Sequence, residues 1–353
     1  MCVIAIALVV LYRMLKGIAI GDVIAALRAT PARNVALAAC FVATAYFTLT
    51  VYDLFALRAL GHREIPYRTA ALTAFTSYAV GHNVGATVVT GGAVRYRIYS
   101  ANGLDAVEVA KVCFLSALTF WLGNAAVLGL SITLQPSAVS AIDHLAPGTN
   151  RAIALGALAT LASYVIWVWH WPRTIGRGGW TVKLPSGPLT LLQIVIGGVD
   201  LVSCALAMYV LLPGNPTMDF VTLAAIFVFA ILLGFASHAP GGIGVFDAAM
   251  FAALSQFDKE ELLAGILLFR LLYYIVPLAI SLLLLGTREI AISIPSARVL
   301  VVRKQIEAAL PPGKEDLSSL SVVRLGPPAI DGDAVQRRMP LTFHGPLQPP
   351  EPL

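Results

Sequence analysis

Between Val35 and Leu285 the chain returns repeatedly to apolar runs. Most have about 20 residues, the length a helix needs to cross a ~30 Å hydrocarbon core at 1.5 Å per residue. Hydrophobic residues make up 58% of the chain, against roughly 45–50% in soluble domains. Charged residues are 12%. The fold class is therefore all-α: a polytopic integral membrane protein with about seven to eight transmembrane segments, one or two of them glycine-broken and re-entrant.

The runs fall at Val35–Leu57, Thr69–Gly92, Asp105–Leu134, Arg151–Trp171, Leu189–Leu212, Phe220–Ala236, 241–256 and Leu262–Leu285. Residues 1–34 read as an incomplete first helix followed by an interfacial segment. Cys2–Leu11 is too short to span, and Arg13 and Lys16 follow it rather than precede it, unlike a signal peptide. Residues 35–286 form the membrane-embedded domain. Residues 287–353, rich in Pro, Ser and charge, read as a largely disordered cytoplasmic tail.

Basic residues mark one side of the membrane. The segments 58–68, 95–97, 173–183 and the stretch after 286 carry Arg and Lys, so they are expected in the cytoplasm, and 135–150 and 213–219 carry none. Both flanks of Thr69–Gly92 are then cytoplasmic, which makes that segment a hairpin entering and leaving by one face. The same count makes 241–256 a short broken crossing, with a second re-entrant hairpin as the alternative. The net charge of +5 sets topology and is no sign of nucleic-acid binding.

Ser77–Leu104 is the most unusual stretch. It starts apolar, is broken by glycines, and ends at Arg95 and Arg97. Such backbone needs shelter in protein or a wet cavity. Gly91-Gly92 just before Arg95 suggests backbone N–H groups and a helix start facing an anion, with the arginine adding a forked phosphate contact. Gly91-Gly92 followed by Gly103-Leu104-Asp105 and Glu108 resembles Gly241-Gly242 followed by Phe257-Asp258, Glu260 and Glu261. Paired glycine-broken segments point to a transport site between repeats, with chance as the rival reading.

Ionisable groups inside a bilayer are costly, at least ~2.5–3.5 kcal/mol each at the centre. Asp200, Asp247 and Arg270 fall in that zone, with Asp53 nearer a boundary. Asp200 or Asp247 could pair with Arg270 to lock helices, or the set could line a cavity for a charged headgroup. His82 and His238 have no second ligand at metal spacing and read as packed or hydrogen-bonded. Cys2, Cys40, Cys113 and Cys204 read as small core residues. No metal or cofactor is expected.

Several strings resemble the membrane part of the lysylphosphatidylglycerol synthase/flippase family (multiple peptide resistance factor). They are Tyr52-Asp53-Leu54 with Arg58, Thr90-Gly91-Gly92-Ala93-Val94-Arg95, Asp200 with Leu211-Leu212-Pro213, Ser237-His238-Ala239-Pro240-Gly241-Gly242, and Arg270 with Tyr273, Tyr274 and Pro277. The resemblance implies an inner-membrane lipid translocase that moves aminoacylated phosphatidylglycerol or a similar phospholipid. It also implies a part in antimicrobial peptide resistance. The implied substrate-binding residues are Asp53, Arg58, Gly91, Gly92, Arg95, Asp200, His238, Gly241, Gly242, Asp247, Arg270 and Tyr273. Asp247 stands where a glutamate is common in the family. A soluble aminoacyl-transferase domain does not follow the membrane part here, so no catalytic residue is assigned and the chain is read as more a transporter than an enzyme. Expected partners are a membrane phospholipid and a separate aminoacyl-lipid synthase, with self-association open. Two alternatives stand: the membrane half of a lysyltransferase system, and a transporter of another glycolipid or polyprenyl lipid.

Overall fold

A computed structural model describes residues 20–290 apart from Pro172 and Gly179. The expected incomplete first helix and most of the expected tail lie outside the described residues. The segment before the first long run is a short helix, α1 (Ile20–Ala29). Long helices follow at α2 (Ala32–Leu60), α5 (Ala106–Leu134), α6 (Pro147–His170), α7 (Gly187–Leu211) and α10 (Lys259–Ile290). Between them lie two hairpins of shorter helices. The first is α3 (Tyr67–Val84) with α4 (Thr87–Tyr99), and the second is α8 (Phe220–Ala236) with α9 (Val245–Ala253). Among the described residues, five helices are long and apolar enough to cross a membrane. The other apolar runs of the expected seven to eight segments are hairpin arms. Residues 173–183 are more than a plain loop, since Thr174–Arg177 pairs antiparallel with Trp180–Lys183.

Local chemistry explains the boundaries. Asp105 caps α5, accepting from Glu108 N at 2.8 Å while Glu108 Oε2 accepts from Asp105 N at 3.2 Å. Asp219 caps α8 through Thr222 N at 2.9 Å. In α10, Pro277 can donate no hydrogen bond to the carbonyl four residues back. The helix widens into a π-turn at Leu271–Ile275. Tyr46 Oη donates to the freed Tyr273 carbonyl at 2.9 Å, and Asn83 Nδ2 donates to Tyr274 O at 3.0 Å.

Contacts fix which ends share a side. Arg97 at the end of α4 meets Glu289 at the end of α10, Nη2 to Oε2 at 2.9 Å. Val182 is buried with Ala56, Leu57 and Tyr99. The start of α10 instead meets the end of α7, because a Cβ on Gly265 would lie 2.7 Å from Leu211 O. α9 packs on the turn Ser140–Asp143 beyond α5. The base of α3–α4 therefore lies at the Arg97 end and the base of α8–α9 at the opposite end.

This corrects the reading of 241–256 as a crossing. With 9 residues, α9 is about 13 Å long, too short to traverse the bundle. α8 is its inward arm, so 237–253 turns back inside. With this second hairpin in place, the end of α10 still returns to the base of the first, where Glu289 meets Arg97.

The two hairpin tips touch. Gly85, at φ 83°, sits where a Cβ would lie 3.2 Å from Pro240 Cα and 3.3 Å from the His238 carbonyl. The second tip uses φ 60° at Gly241, 62° at Gly242 and 86° at Gly244, conformations that exclude most side chains. Carbonyls at the first tip are covered by threonines: Thr90 Oγ1 donates to Gly85 O at 2.9 Å and Thr87 Oγ1 to Gly81 O at 3.1 Å.

α5 and α7 cross at glycine. A Cβ on Gly197 would stand 2.6 Å from Thr119 O, and one on Gly123 2.5 Å from Gly197 C. Small residues let membrane helices approach this closely. Gly197→Ala is expected to lower stability by about 3 kcal/mol or more. Gly198→Ala, whose Cβ would meet only Val127 at 3.8 Å, is expected to stay within about 0.5 kcal/mol. Thermal melts in detergent compare the two.

Candidate functional site

Charge inside this bundle is arranged in pairs. Asp53 on α2 is fully buried and Arg95 on α4 is 5% exposed. Arg95 Nε donates to Asp53 Oδ2 at 2.9 Å and Nη2 to Oδ1 at 2.8 Å. The carboxylate also accepts from Tyr99 Oη at 2.9 Å and Ser116 Oγ at 3.1 Å. The guanidinium carbon lies 4.6 Å from the Tyr78 ring centroid. This saturated, bidentate set ties the first hairpin to α2 and α5.

The second hairpin is clasped the same way. Arg270 Nη2 reaches both Asp247 oxygens at 2.8 Å, and Nε reaches Oδ1 at 3.0 Å. Arg270 Nη1 donates to Gly241 O at 3.1 Å, and Gly244 N donates to Asp247 Oδ2 at 2.9 Å. One ion pair thus fixes the tip and joins it to α10. Of the two sequence options for Arg270, the structure takes Asp247.

Asp200, halfway along α7, is different. It is 3% exposed. Its Oδ2 accepts from Tyr52 Oη at 3.0 Å, and Cys204 Sγ lies 4.0 Å from Oδ1. No Lys or Arg of the described residues pairs with it. One buried and one half-buried guanidinium, Arg95 and Arg270, answer two of the three buried carboxylates, and Asp200 is the one left over.

Asp200 borders a cavity of about 850 Å³. α3, α4, α5, α7, α8, the second tip and α10 all contribute to its wall. Arg95, Gly92, His238, Gly241, Gly242 and Tyr273 from the expected set reach it. Gly91, Asp53, Asp247 and Arg270 are not on its wall; they support it from behind. Arg58 is elsewhere. Its guanidinium donates to His62 O at 2.9 Å and Ile65 O at 3.1 Å, shaping the loop after α2.

The anion cradle expected at Gly91-Gly92 is absent. Both glycines lie inside α4, which begins at Thr87, so their N–H groups serve the helix and no helix starts after them. Gly91 is small for another reason: its Cβ would stand 3.1 Å from Ser77 O across the hairpin. The first hairpin breaks at Gly85-Ala86 instead. With Nε and Nη2 committed to Asp53, Arg95 has Nη1 left for the cavity.

Aromatic and small residues complete the wall. His82 stacks on Tyr273 with ring centroids 5.7 Å apart and has a buried Nδ1 without a partner. Tyr78, Cys113, Cys204 and Phe246 also line it. Sequence reading missed these because tyrosine, cysteine and phenylalanine in apolar runs look like core. On one flank the cavity borders Val88, Val89, Tyr96 and Trp121, which are 68%, 72%, 49% and 52% exposed. That flank faces outward between α4 and α5, where hydrocarbon would lie.

A family model described as the lysylphosphatidylglycerol synthase TM region matches residues 1–281. The uncharacterised protein slr0712 of Synechocystis is 31% identical over 247 residues, covering 69% of this chain and 76% of that protein. The inner membrane protein YbhN of Escherichia coli is 31% identical over 248 residues, with the same 69% and 76% coverage. A phosphatidylglycerol lysyltransferase of Staphylococcus epidermidis is 39% identical over 69 residues, which is 19% of this chain and 8% of that enzyme.

Removing one member of the Asp53–Arg95 pair strands the other in a dry site. Asp53→Asn is expected to cost about 3–5 kcal/mol of stability. The double variant Asp53→Asn with Arg95→Met should recover a large part of that loss. Denaturation of the four proteins in detergent gives the coupling energy, and a value near zero would remove the clasp from the account.

Proposed function

The chain belongs to the family of the lysylphosphatidylglycerol synthase transmembrane region, and from that premise we propose that it is a lipid translocase. It moves an aminoacylated phosphatidylglycerol, or a similar phospholipid with a cationic headgroup, between the leaflets of a bacterial inner membrane. The observation that carries this reading is Asp200, the buried carboxylate without a cation on the wall of the cavity. A headgroup ammonium placed against Asp200 completes the third charge pair of the bundle. A phosphate oxygen can take the remaining Nη1 edge of Arg95. The acyl chains stay outside between α4 and α5, so only the headgroup needs a polar path.

Hairpins entering from opposite ends suit that task. Each brings a tip to the same depth, and a headgroup passing the Gly85–Pro240 contact has changed sides. The basic ends of the long helices favour a cytoplasmic Arg97 end. A second reading, the membrane partner of a separate aminoacyl-lipid synthase, draws on the short match to phosphatidylglycerol lysyltransferases. Peptide resistance in cells would follow from lipid export under either reading.

Vesicles reconstituted with the protein and a trace of fluorescent lysylphosphatidylglycerol test the proposal, with a membrane-impermeant quencher reporting the leaflet. Wild type and Arg97→Ala should move the lipid at similar rates, and Asp200→Asn should be at least tenfold slower. Wild-type vesicles no faster than protein-free ones would refute translocation. An unimpaired Asp200→Asn would refute the site.

A further inference from the structure

We infer that Asp200 is a proton-exchange site: it holds a proton when the cavity is empty and gives it up when a cationic headgroup arrives. This rests on the cationic-headgroup reading above and adds how the empty state is kept neutral.

The starting point is the mismatch in the interior. Asp53 and Asp247 each hold a guanidinium through two or more hydrogen bonds. Asp200 receives one tyrosine hydroxyl and a distant thiol. Both neighbours are neutral donors, and neither cancels a charge. A lone carboxylate in hydrocarbon lowers its free energy by taking a proton or a cation.

The surroundings offer no other way out. From α2 the facing groups are Tyr46, Thr48 and Tyr52, and from α3 they are Tyr78 and His82. α4 contributes Arg95, already bound to Asp53, and α5 contributes Cys113. On α7 itself there is Cys204, and from α10 come Tyr273 and Tyr274. The turn after α8 adds His238, whose Nδ1 lies 3.0 Å from Ala236 O. All but Arg95 are groups that can be neutral, so the empty cavity balances when Asp200 is the neutral acid.

The exchange conserves charge. The neutral acid and a headgroup ammonium become a carboxylate–ammonium pair, and one proton leaves through the cavity. Release of the headgroup on the far side returns a proton to Asp200. Lipid movement in one direction is then linked to proton movement in the other, so a transmembrane proton gradient can drive it.

Three measurements on the detergent-solubilised full chain test this. Infrared spectra of the lipid-free protein should show a protonated-carboxyl band that is lost in Asp200→Asn and kept, shifted, in Asp200→Glu. Adding short-chain lysylphosphatidylglycerol should release about one more proton per bound lipid from wild type than from Asp200→Asn. Wild-type binding should tighten up to about tenfold per pH unit relative to Asp200→Asn where the acid form dominates. An ionised Asp200 in the lipid-free protein overturns the inference, as does lipid binding with no excess proton release. The infrared arm uses no lipid, so its failure leaves translocation standing. A protonated Asp200 in a protein that moves no lipid in vesicles upholds the proton site and refutes translocation.

Discussion

A guanidinium held away from water needs a carboxylate beside it, and this bundle places that requirement at the two points where a hairpin meets a long helix. Arg95 on the returning arm of the first hairpin takes Asp53 from the preceding helix. Asp247 on the returning arm of the second takes Arg270 from the following helix. Neither hairpin arm is long and apolar enough to be stable alone across a bilayer. The pairs hold them at depth, and breaking one leaves a buried charge unanswered.

With both clasps in place the tips meet, Gly85 against Pro240. The remaining polarity of the interior is then defined by what the clasps leave over: one carboxylate, one guanidinium edge, and an aromatic wall. The phosphate site first suggested by an arginine after two glycines shrinks to a single N–H edge. The cation site grows, because Asp200 has no competitor. Under the proposed translocation, charge balance inside low-dielectric protein would weigh more on headgroup preference than the number of arginines.

Much of the fold was legible in the sequence. A helix is found at Phe220–Ala236, and Asp105 starts the long helix Ala106–Leu134 as its Asp-x-x-Glu pattern demands. The pairing of Asp247 with Arg270 was one of two options the residues allowed. What was hidden depended on neighbours. Gly91 and Gly92 look like a helix break, yet they are helical, and the space Gly91 leaves is filled by the Ser77 carbonyl of the adjacent arm. The actual break at Gly85-Ala86 is set by contact with a tip some 150 residues later in the chain. Asp53 looked like an interface residue because its partner lies 42 positions away. The 241–256 run read as a crossing because counting basic residues reports the side a loop lies on and not the depth a segment reaches, and the packing of α9 on the Ser140–Asp143 turn supplies the depth.

The interior is charge-matched among the described residues except at Asp200, and under the proposed function this excess carboxylate selects a cationic headgroup for passage. The most direct measurement compares leaflet exchange of lysylphosphatidylglycerol and phosphatidylglycerol, with identical labelled acyl chains, in the same wild-type vesicles. The lysyl lipid should cross at least ten times faster. Equal rates, or faster movement of the anionic lipid, would contradict it.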